Sequence, residues 1–423
     1  MTTPPRNRSV LDWPTGVTVY KPEKCYNGYT VVTPYHAEMI FLVDMLGRVV
    51  HVWHADPDQI ARAWFLRRLP NGNWLGLNAY VPHTPEGSAP VLAPSLFREG
   101  THKSQILELN WRGDAVWRYK VPDRWLATHD MARLENGNTL LVMDEKVTNP
   151  SVSDKPFADN LFVEVDPSGE ILWQWSTADH IEEFGYSDAC RHLMYEKGGD
   201  IFHTNTCSPL PGNPLEKTDA RFAKGNILSS QRDVNLIYIL DRKSERVVWT
   251  WGDKPGQLVG QHHPIMLNNG NILIYDNGGQ GGYPPRCRFY TRLIEIDPIS
   301  GEIVWQYAHD ESVTFKPMSK FFSSSWGSVQ RLPNGNTLSL DCHKGRLFEV
   351  TPWGELVWEY ISPFAWGRGV AVKEPGVYRT YRYSYEDIPQ VDPWFGNTDG
   401  HIGIQPVQTE IPKGLGLPAT DLP

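Results

Sequence analysis

One pattern recurs six times along this chain and constrains its fold more than any other: an apolar run, a tight turn containing Gly or Asp, then a second run carrying a Trp. The copies are FLVDMLGRVVHVW, ILELNWRGDAVW, FVEVDPSGEILW, IYILDRKSERVVW, LIEIDPISGEIVW and LFEVTPWGELVW, ending at Trp53, Trp117, Trp173, Trp249, Trp305 and Trp358. Successive tryptophans stand 64, 56, 76, 56 and 53 residues apart, room for four strands with their loops. A second set of turns lies between these hairpins: PNGN at 70–73, ENGN at 135–138, KGGD at 197–200, NNGN at 268–271 and PNGN at 333–336. Asn-Gly between apolar runs signals a two-residue hairpin turn, because both residues accept positive φ.

Two hairpins in each of six units, with almost no helical periodicity, predict an all-β chain folded as a six-bladed β-propeller with an irregular C-terminal tail. A pair of packed sandwiches is disfavoured, because a sandwich needs no strict repeat. Residues 1–385 are expected to form the propeller, with N-terminal strands, opened by Asn27-Gly28, closing the last blade; 386–423 are expected to pack on it as a tail. Composition agrees with a folded core: 40% of residues are hydrophobic, including 17 Trp, 18 Tyr and 15 Phe. The net charge of −9 and the lack of a basic run argue against nucleic acid as a partner. No segment reaches ~18 uninterrupted apolar residues and the polar opening MTTPPRNR does not read as an export signal, so no membrane partner and a cytoplasmic location are expected. The five cysteines are scattered without a CxxC pair, which favours reduced thiols over a disulfide framework.

In a blade whose strands run outward from the axis, the Asn-Gly turns and the Trp-hairpin turns share one face and are short. The opposite face receives the starts of the inner strands, the ends of the second strands and the long connections 81–103, 146–160, 207–233, 278–290 and 308–325, where binding residues are expected. Seven residues before each hairpin Asn lies the start of an inner strand: Trp64, His129, His262 and Gly327. In the unit carrying KGGD the same count gives Arg191, or His192 if that hairpin is one residue shorter. The ends of the second strands supply His36, Asn78, Asp144, His203, Asn205, Asp276, Asn277 and His343. Imidazoles, amides and an arginine converging on a channel mouth form a polar site; Tyr80 and Trp326 join Trp64 as candidates for an aromatic substrate wall. His263 is expected to face away from the axis, since neighbours on a strand point to opposite sides.

The run GQHHPIMLNNGNILIYDNG at 260–278 resembles the His-containing blade motif of the bacterial aryl sulfotransferases of the arylsulfate type, where Gln-His precedes a hairpin and a Phe/Tyr-Asp-Asn-Gly. THDMARLENGNTLLVMDE at 128–145, SVQRLPNGNTLSLD at 328–341 and YRTYRYSYED at 378–387 fit the same family. The resemblance implies a nucleotide-independent enzyme moving a sulfuryl group between phenols, with no cofactor and a small aromatic substrate. It implies His262 as the nucleophile, with His129, Arg191 or His192, and Asn205 matching the oxygen-binding and acid–base residues.

The chemistry suits these side chains. A neutral imidazole is a competent nucleophile at neutral pH. Sulfuryl transfer, like phosphoryl transfer, depends on positioning and on donors around the equatorial oxygens. A second reading makes His129, His192 and His262 ligands of a divalent metal ion in a lyase, hydratase or oxygenase acting on a small aromatic or unsaturated substrate. A third is a propeller that serves as a binding platform without catalysis.

Overall fold

A computed structural model describes residues 14–34, 39–54, 63–80, 103–252, 254, 256–308, 321–364, 376–392 and 396–397. Alternating apolar and polar positions fold into six antiparallel sheets that contact one another in a closed ring, a six-bladed propeller. Its inner strands, from the first blade to the sixth, are Val377–Tyr383, Ala63–Arg68, Trp125–Arg133, Thr204–Pro209, His262–Met266 and Val329–Arg331.

The ring is closed twice. The first blade pairs its inner strand Val377–Tyr383 with the N-terminal strand Tyr29–Pro34, in a register that sets Tyr29 opposite Tyr383 and Val32 opposite Thr380. Gly16–Tyr20 adds a fifth strand to the outer edge of the sixth blade, against Leu356–Ile361. The described part of the C-terminal segment continues through a short pairing of Val391–Asp392 with Gly396–Asn397; residues 398–423 lie outside the described residues, as do His36 and 81–102.

The repeated tryptophans join blade to blade. Indole N–H groups donate to a backbone oxygen in the next blade's outer hairpin turn: Trp117 to Pro167 at 2.8 Å, Trp249 to Pro298 at 3.0 Å, Trp305 to Pro352 at 2.7 Å and Trp358 to Met45 at 3.0 Å. Trp173 instead reaches the Glu245 carboxylate at 2.8 Å. In these five blades the Trp pairs one step before the bulge of the outer hairpin, but in the first blade that place belongs to His51, stacked 3.9 Å from Trp111. Trp53 lies two residues further on, so the six copies in the sequence are not fully equivalent in space.

A polar belt lies beneath the tryptophans. A glutamate on the third strand accepts from the Asn-x-Asn turn of its own blade, as Glu295 does from Asn271 at 2.7 Å, and from an arginine of the next blade, as from Arg331 at 2.8 Å. The same Arg331 guanidinium lies over the Trp305 ring. Between the sixth and first blades, Arg382 and Glu349 form this pair with both side chains fully buried. A charge pair taken out of water needs every remaining donor and acceptor well placed, which fixes the blades' register.

The fourth blade departs from the repeat, and the sequence expectation fails there. KGGD does not turn a hairpin: Gly198 and Gly199 end an α-helix, Asp188–Lys197, with φ of 58° and 69°. Ser187 caps its start by accepting from the Cys190 amide. The inner strand begins only at Thr204, and the connection to its partner Ile227–Gln231 runs through residues 210–226, so this segment is the first turn of the blade, not the second.

Candidate active site

Several inner strands begin with a backbone kink. His129, His203, His263 and Trp326 have φ of 56°, 57°, 49° and 64°, in the left-handed region that side chains with a Cβ rarely occupy. The strand registers skip across His129, opposite the step from Leu141 to Met143, across His263, between His262 and Ile265, and just after His203, between Thr204 and Cys207. Each extra residue breaks the alternation of faces and turns side chains towards the axis. Strained backbone of this kind persists where the surrounding structure over-determines it.

The result is a cluster of three histidines from adjacent blades. His129 Nε2 and His203 Nε2 are 3.1 Å apart, and the His203 ring centroid lies 6.3 Å from that of His262. His203 Nδ1 is hydrogen-bonded to the Asp200 carboxylate. His262 is 1% exposed, and its Nδ1 lies 2.8 Å from Asn277 Oδ1 and 3.2 Å from the Gly260 carbonyl oxygen. Asn277 is held in that orientation because its amide donates to the carbonyls of Ser323 at 2.9 Å and Trp326 at 2.7 Å. Both neighbours of His262 Nδ1 are acceptors, so the proton sits on Nδ1 and the lone pair on Nε2, which has no hydrogen-bond partner among the described residues.

The electrostatics separate the three imidazoles. Burial, the Arg232 charge and His203 hold the pKa of His262 well below the usual histidine value. Burial, His203 and His262 do the same to His129. Burial also opposes charge on His203, but the Asp200 carboxylate outweighs it and raises that pKa. Of the three rings, His203 is the one whose surroundings favour the protonated form. Burial and the nearby Asp200 charge push the Asp144 carboxyl up to about 8, while it accepts from Asn160 at 2.6 Å.

Beneath the cluster a buried network closes the axis. Arg379 Nη1 donates to Asp130 Oδ1 at 2.6 Å and Nη2 to the Asn205 carbonyl at 2.9 Å. Arg67 reaches the same Asp130 oxygen at 3.2 Å and the Tyr381 hydroxyl at 2.9 Å, and Asp130 Oδ2 accepts from the Cys207 amide at 3.0 Å. His263 joins the network, contrary to expectation, because the bulge at its strand start turns it inward: Nδ1 accepts from the Val329 amide at 3.2 Å and Nε2 lies 3.4 Å from the Tyr381 hydroxyl. All six inner strands contribute to this floor.

The residues singled out from the sequence meet different fates. His129, His203, His262 and Asn277 come together as described. Arg191 and His192 do not: both lie on the surface helix, Arg191 paired with Glu182 and His192 with 69% of its side chain exposed. The count from KGGD misplaced them because those glycines stop a helix. With His192 absent, the proposed His129, His192 and His262 ligand set is not assembled, and among the described residues no group of three or more His, Cys, Asp or Glu is arranged to hold a metal ion. Asp276 is fully buried and occupied by Arg288 at 3.0 Å and Arg292 at 2.6 Å, a structural pair. Asn205 spends its amide on the Gln261 carbonyl at 2.9 Å, which ties the fourth blade to the residue before His262. His343 bonds to Ser325 at 3.1 Å and packs 4.7 Å from the Trp326 ring; Trp326 in turn lies 6.2 Å from Tyr378, beside His129. The side chains of Trp64, Asn78 and Tyr80 lie outside the described residues.

Three participants escaped the sequence reading: Asp200, Arg232 and Arg379. The first two flank His203-Thr-Asn205 and the true second strand of the fourth blade, so recognising Ser187 as a helix cap and Gly198 as its stop would have found them. Arg379 is visible only as one of several arginines in the closing YRTYRY.

Three buried or half-buried histidines thus meet on the propeller axis above a fully buried arginine–aspartate network. The chain belongs to the arylsulfotransferase (ASST) family, whose sequence profile matches residues 97–363. No curated protein matches it. Similar solved structures include a protein of unknown function from Bacteroides caccae, with 12% identity over 84% of this chain and 98% of that one and a TM-score of 0.48. A streptogramin B lyase matches with 12% identity, 85% and 86% coverage and a TM-score of 0.41. Virginiamycin B lyase from Staphylococcus aureus matches with 11% identity, 83% and 85% coverage and a TM-score of 0.40. Among the described residues no helix is long and apolar enough to cross a membrane.

Proposed function

We propose that this protein transfers a sulfuryl group from an aryl sulfate to a phenol through a covalent intermediate on His262. The observation that carries this reading is the His262 Nε2 atom: buried, without a hydrogen-bond partner among the described residues, and bearing the lone pair because Asn277 and Gly260 hold the proton on Nδ1. Its depressed pKa keeps that lone pair available at neutral pH.

His262 Nε2 attacks sulfur, the S–O bond to the aryl group breaks, and the electron pair leaves with the phenolate oxygen. The sulfohistidine keeps its Nδ1 proton, donated to Asn277 Oδ1, and the acceptor phenol then takes the sulfuryl group from Nε2 as its proton passes to the neighbouring His129–His203 pair. Arg232, whose charge works against protonation of His262, His203 and His129, supplies positive charge for the sulfuryl oxygens. The partly exposed ring of Trp326, backed by the buried Tyr378, offers an aromatic side for the aryl group.

Incubation with 4-nitrophenyl sulfate is expected to add one sulfuryl group to His262, read by mass spectrometry, and to release it when a phenol is added. His262→Ala is expected to lower transfer by at least about 10³-fold. Full transfer in that variant, or label on any other residue, would overturn the reading.

A further inference from the structure

Aryl sulfates differ in how badly their leaving oxygen needs a proton. Phenol itself has a pKa of about 10, so at neutral pH its oxygen leaves well only if protonated during S–O cleavage, whereas 4-nitrophenol is far more acidic and leaves as the anion. The pocket must therefore hold a transferable proton near a nucleophile that is itself kept neutral. The described residues contain one arrangement that does both.

Asp200 stands at the end of the turn that stops the helix Asp188–Lys197, three residues before His203. Its carboxylate accepts from His203 Nδ1–H, and His203 Nε2 lies 3.1 Å from His129 Nε2. A proton between those two Nε2 atoms is a proton shared by the pair, since each presents the same atom to the other. Asp200 keeps 47% of its side-chain surface accessible, while His129 is 9% exposed. The chain carboxylate–imidazole–imidazole thus runs from solvent to the buried pocket. Other charges facing His203 are Arg232 and Asp233, the latter also bound by Lys197 at 2.7 Å, together with Asp144, which burial keeps protonated near neutral pH.

Building on the sulfotransferase reading above, we propose that Asp200 is a positioning residue that keeps the His203–His129 pair loaded with the proton the leaving phenolate requires. In the first half-reaction the S–O bond breaks, its electron pair goes to the aryl oxygen, and the shared proton moves to that oxygen; the pair is left neutral. In the second half-reaction the acceptor phenol gives its proton back to the pair as its oxygen takes the sulfuryl group from His262. One proton is lent and returned in each cycle, so no further acid or base is consumed. The substrate class that depends on Asp200 is accordingly the sulfates of unactivated phenols.

The test compares two donors in wild-type protein, Asp200→Asn and Asp200→Glu. Asparagine keeps a hydrogen-bond acceptor for Nδ1 but removes the charge. Asp200→Asn is expected to slow transfer from phenyl sulfate about 10²-fold and to leave transfer from 4-nitrophenyl sulfate within about threefold, with Asp200→Glu recovering most of the loss. The alkaline limit of phenyl sulfate turnover is expected to move to lower pH in Asp200→Asn, because His203 then surrenders its proton earlier. Equal losses with both donors would overturn the proposal and leave the sulfotransferase reading intact. Absence of transfer from both donors in the wild-type protein would overturn that reading, and the proton assignment with it.

Discussion

The fourth and fifth blades sit side by side and supply most of the pocket, yet they are built on different rules. The fifth follows the repeat: its Asn-Gly turn is anchored on Glu295, which also binds Arg331 of the next blade beneath the Trp305 ring. In the fourth, Ile239 stands where the glutamate would be, and Trp249 meets the ring of Phe222 from the 210–226 connection at 6.1 Å. Around it Leu210, Ile237, Met266 and Ile294 complete an apolar contact. Where the polar belt persists, each inner strand is pinned to its turn, and the spacing from the turn locates His262. Where an insertion and a hydrophobic contact replace the belt, the strand start is free of that spacing, and three ionisable groups absent from the repeat, Asp200, His203 and Arg232, enter the pocket.

The largest effect that would test this comparison lies in the chemistry of the irregular blade. Arg232→Ala is expected to reduce aryl sulfate turnover by about 10²–10³-fold, the range for removing one donor to a developing anion, while melting temperature changes little. Loss of less than about threefold would mean the fourth blade contributes no charge to the transferred group. In the regular belt, Glu349→Gln should destabilise the protein by about 3–5 kcal/mol, because it leaves the Arg382 guanidinium buried without its countercharge; denaturant melts measure it. The corresponding change in the apolar interface, Ile239→Val, should cost only about 1 kcal/mol. Smallest of all, His192→Ala is expected to leave turnover unchanged, since that ring points to solvent from the surface helix.

Acidity provides a further contrast among the histidines. His129, His262 and His263 have folded pKa values depressed by burial, so the unfolded chain takes up protons at these positions as pH falls below about 6.5, before the folded protein does. Their contribution to stability is full above that pH and is lost below it. His203, raised by Asp200, contributes in the opposite sense: its stabilisation is full below about 6.5 and disappears as pH rises through its folded value. Counting His51, held at about 4, four depressed histidines outweigh His203 and the raised carboxyls of Asp144 and Asp159, which act in the opposite sense, so melting temperature should fall from pH 7 to pH 5. A flat profile would show that these four rings are not held neutral.

The ring of six blades, the turn face and the position of His262 were legible in the chain because strand period, Asn-Gly turns and Trp spacing all repeat. His129 was legible for the same reason. His203, the partner of His129, was legible as a site residue but was placed at the end of a second strand and not at the start of the inner one, because Gly-Gly ends a helix as readily as it turns a hairpin, and only the Ser187 cap distinguishes the two. The inward turn of His263 was hidden for a different reason: a single-residue bulge cancels strand alternation without changing composition. Asp276, read as a site residue from its place beside Asn277, proved to be held by arginines that follow it by 12 and 16 residues. Which of two adjacent polar side chains faces the axis depends on charges that sequence spacing does not bring together.

The strand Val377–Tyr383, which supplies the first blade's inner edge and carries Arg379, also sets an order in time. Every histidine of the pocket is synthesised before the strand that completes its floor. Until that strand docks, Asp130 lacks its fully buried guanidinium partner, and the ring is open where Tyr29–Pro34 waits for it. A chain stopped upstream of Val377 therefore has all of its imidazoles and none of the enclosure that keeps them neutral and aligned. The covalent chemistry proposed for His262 therefore has to wait for the last blade-forming segment, and closure of the propeller sets the moment at which that side chain is enclosed.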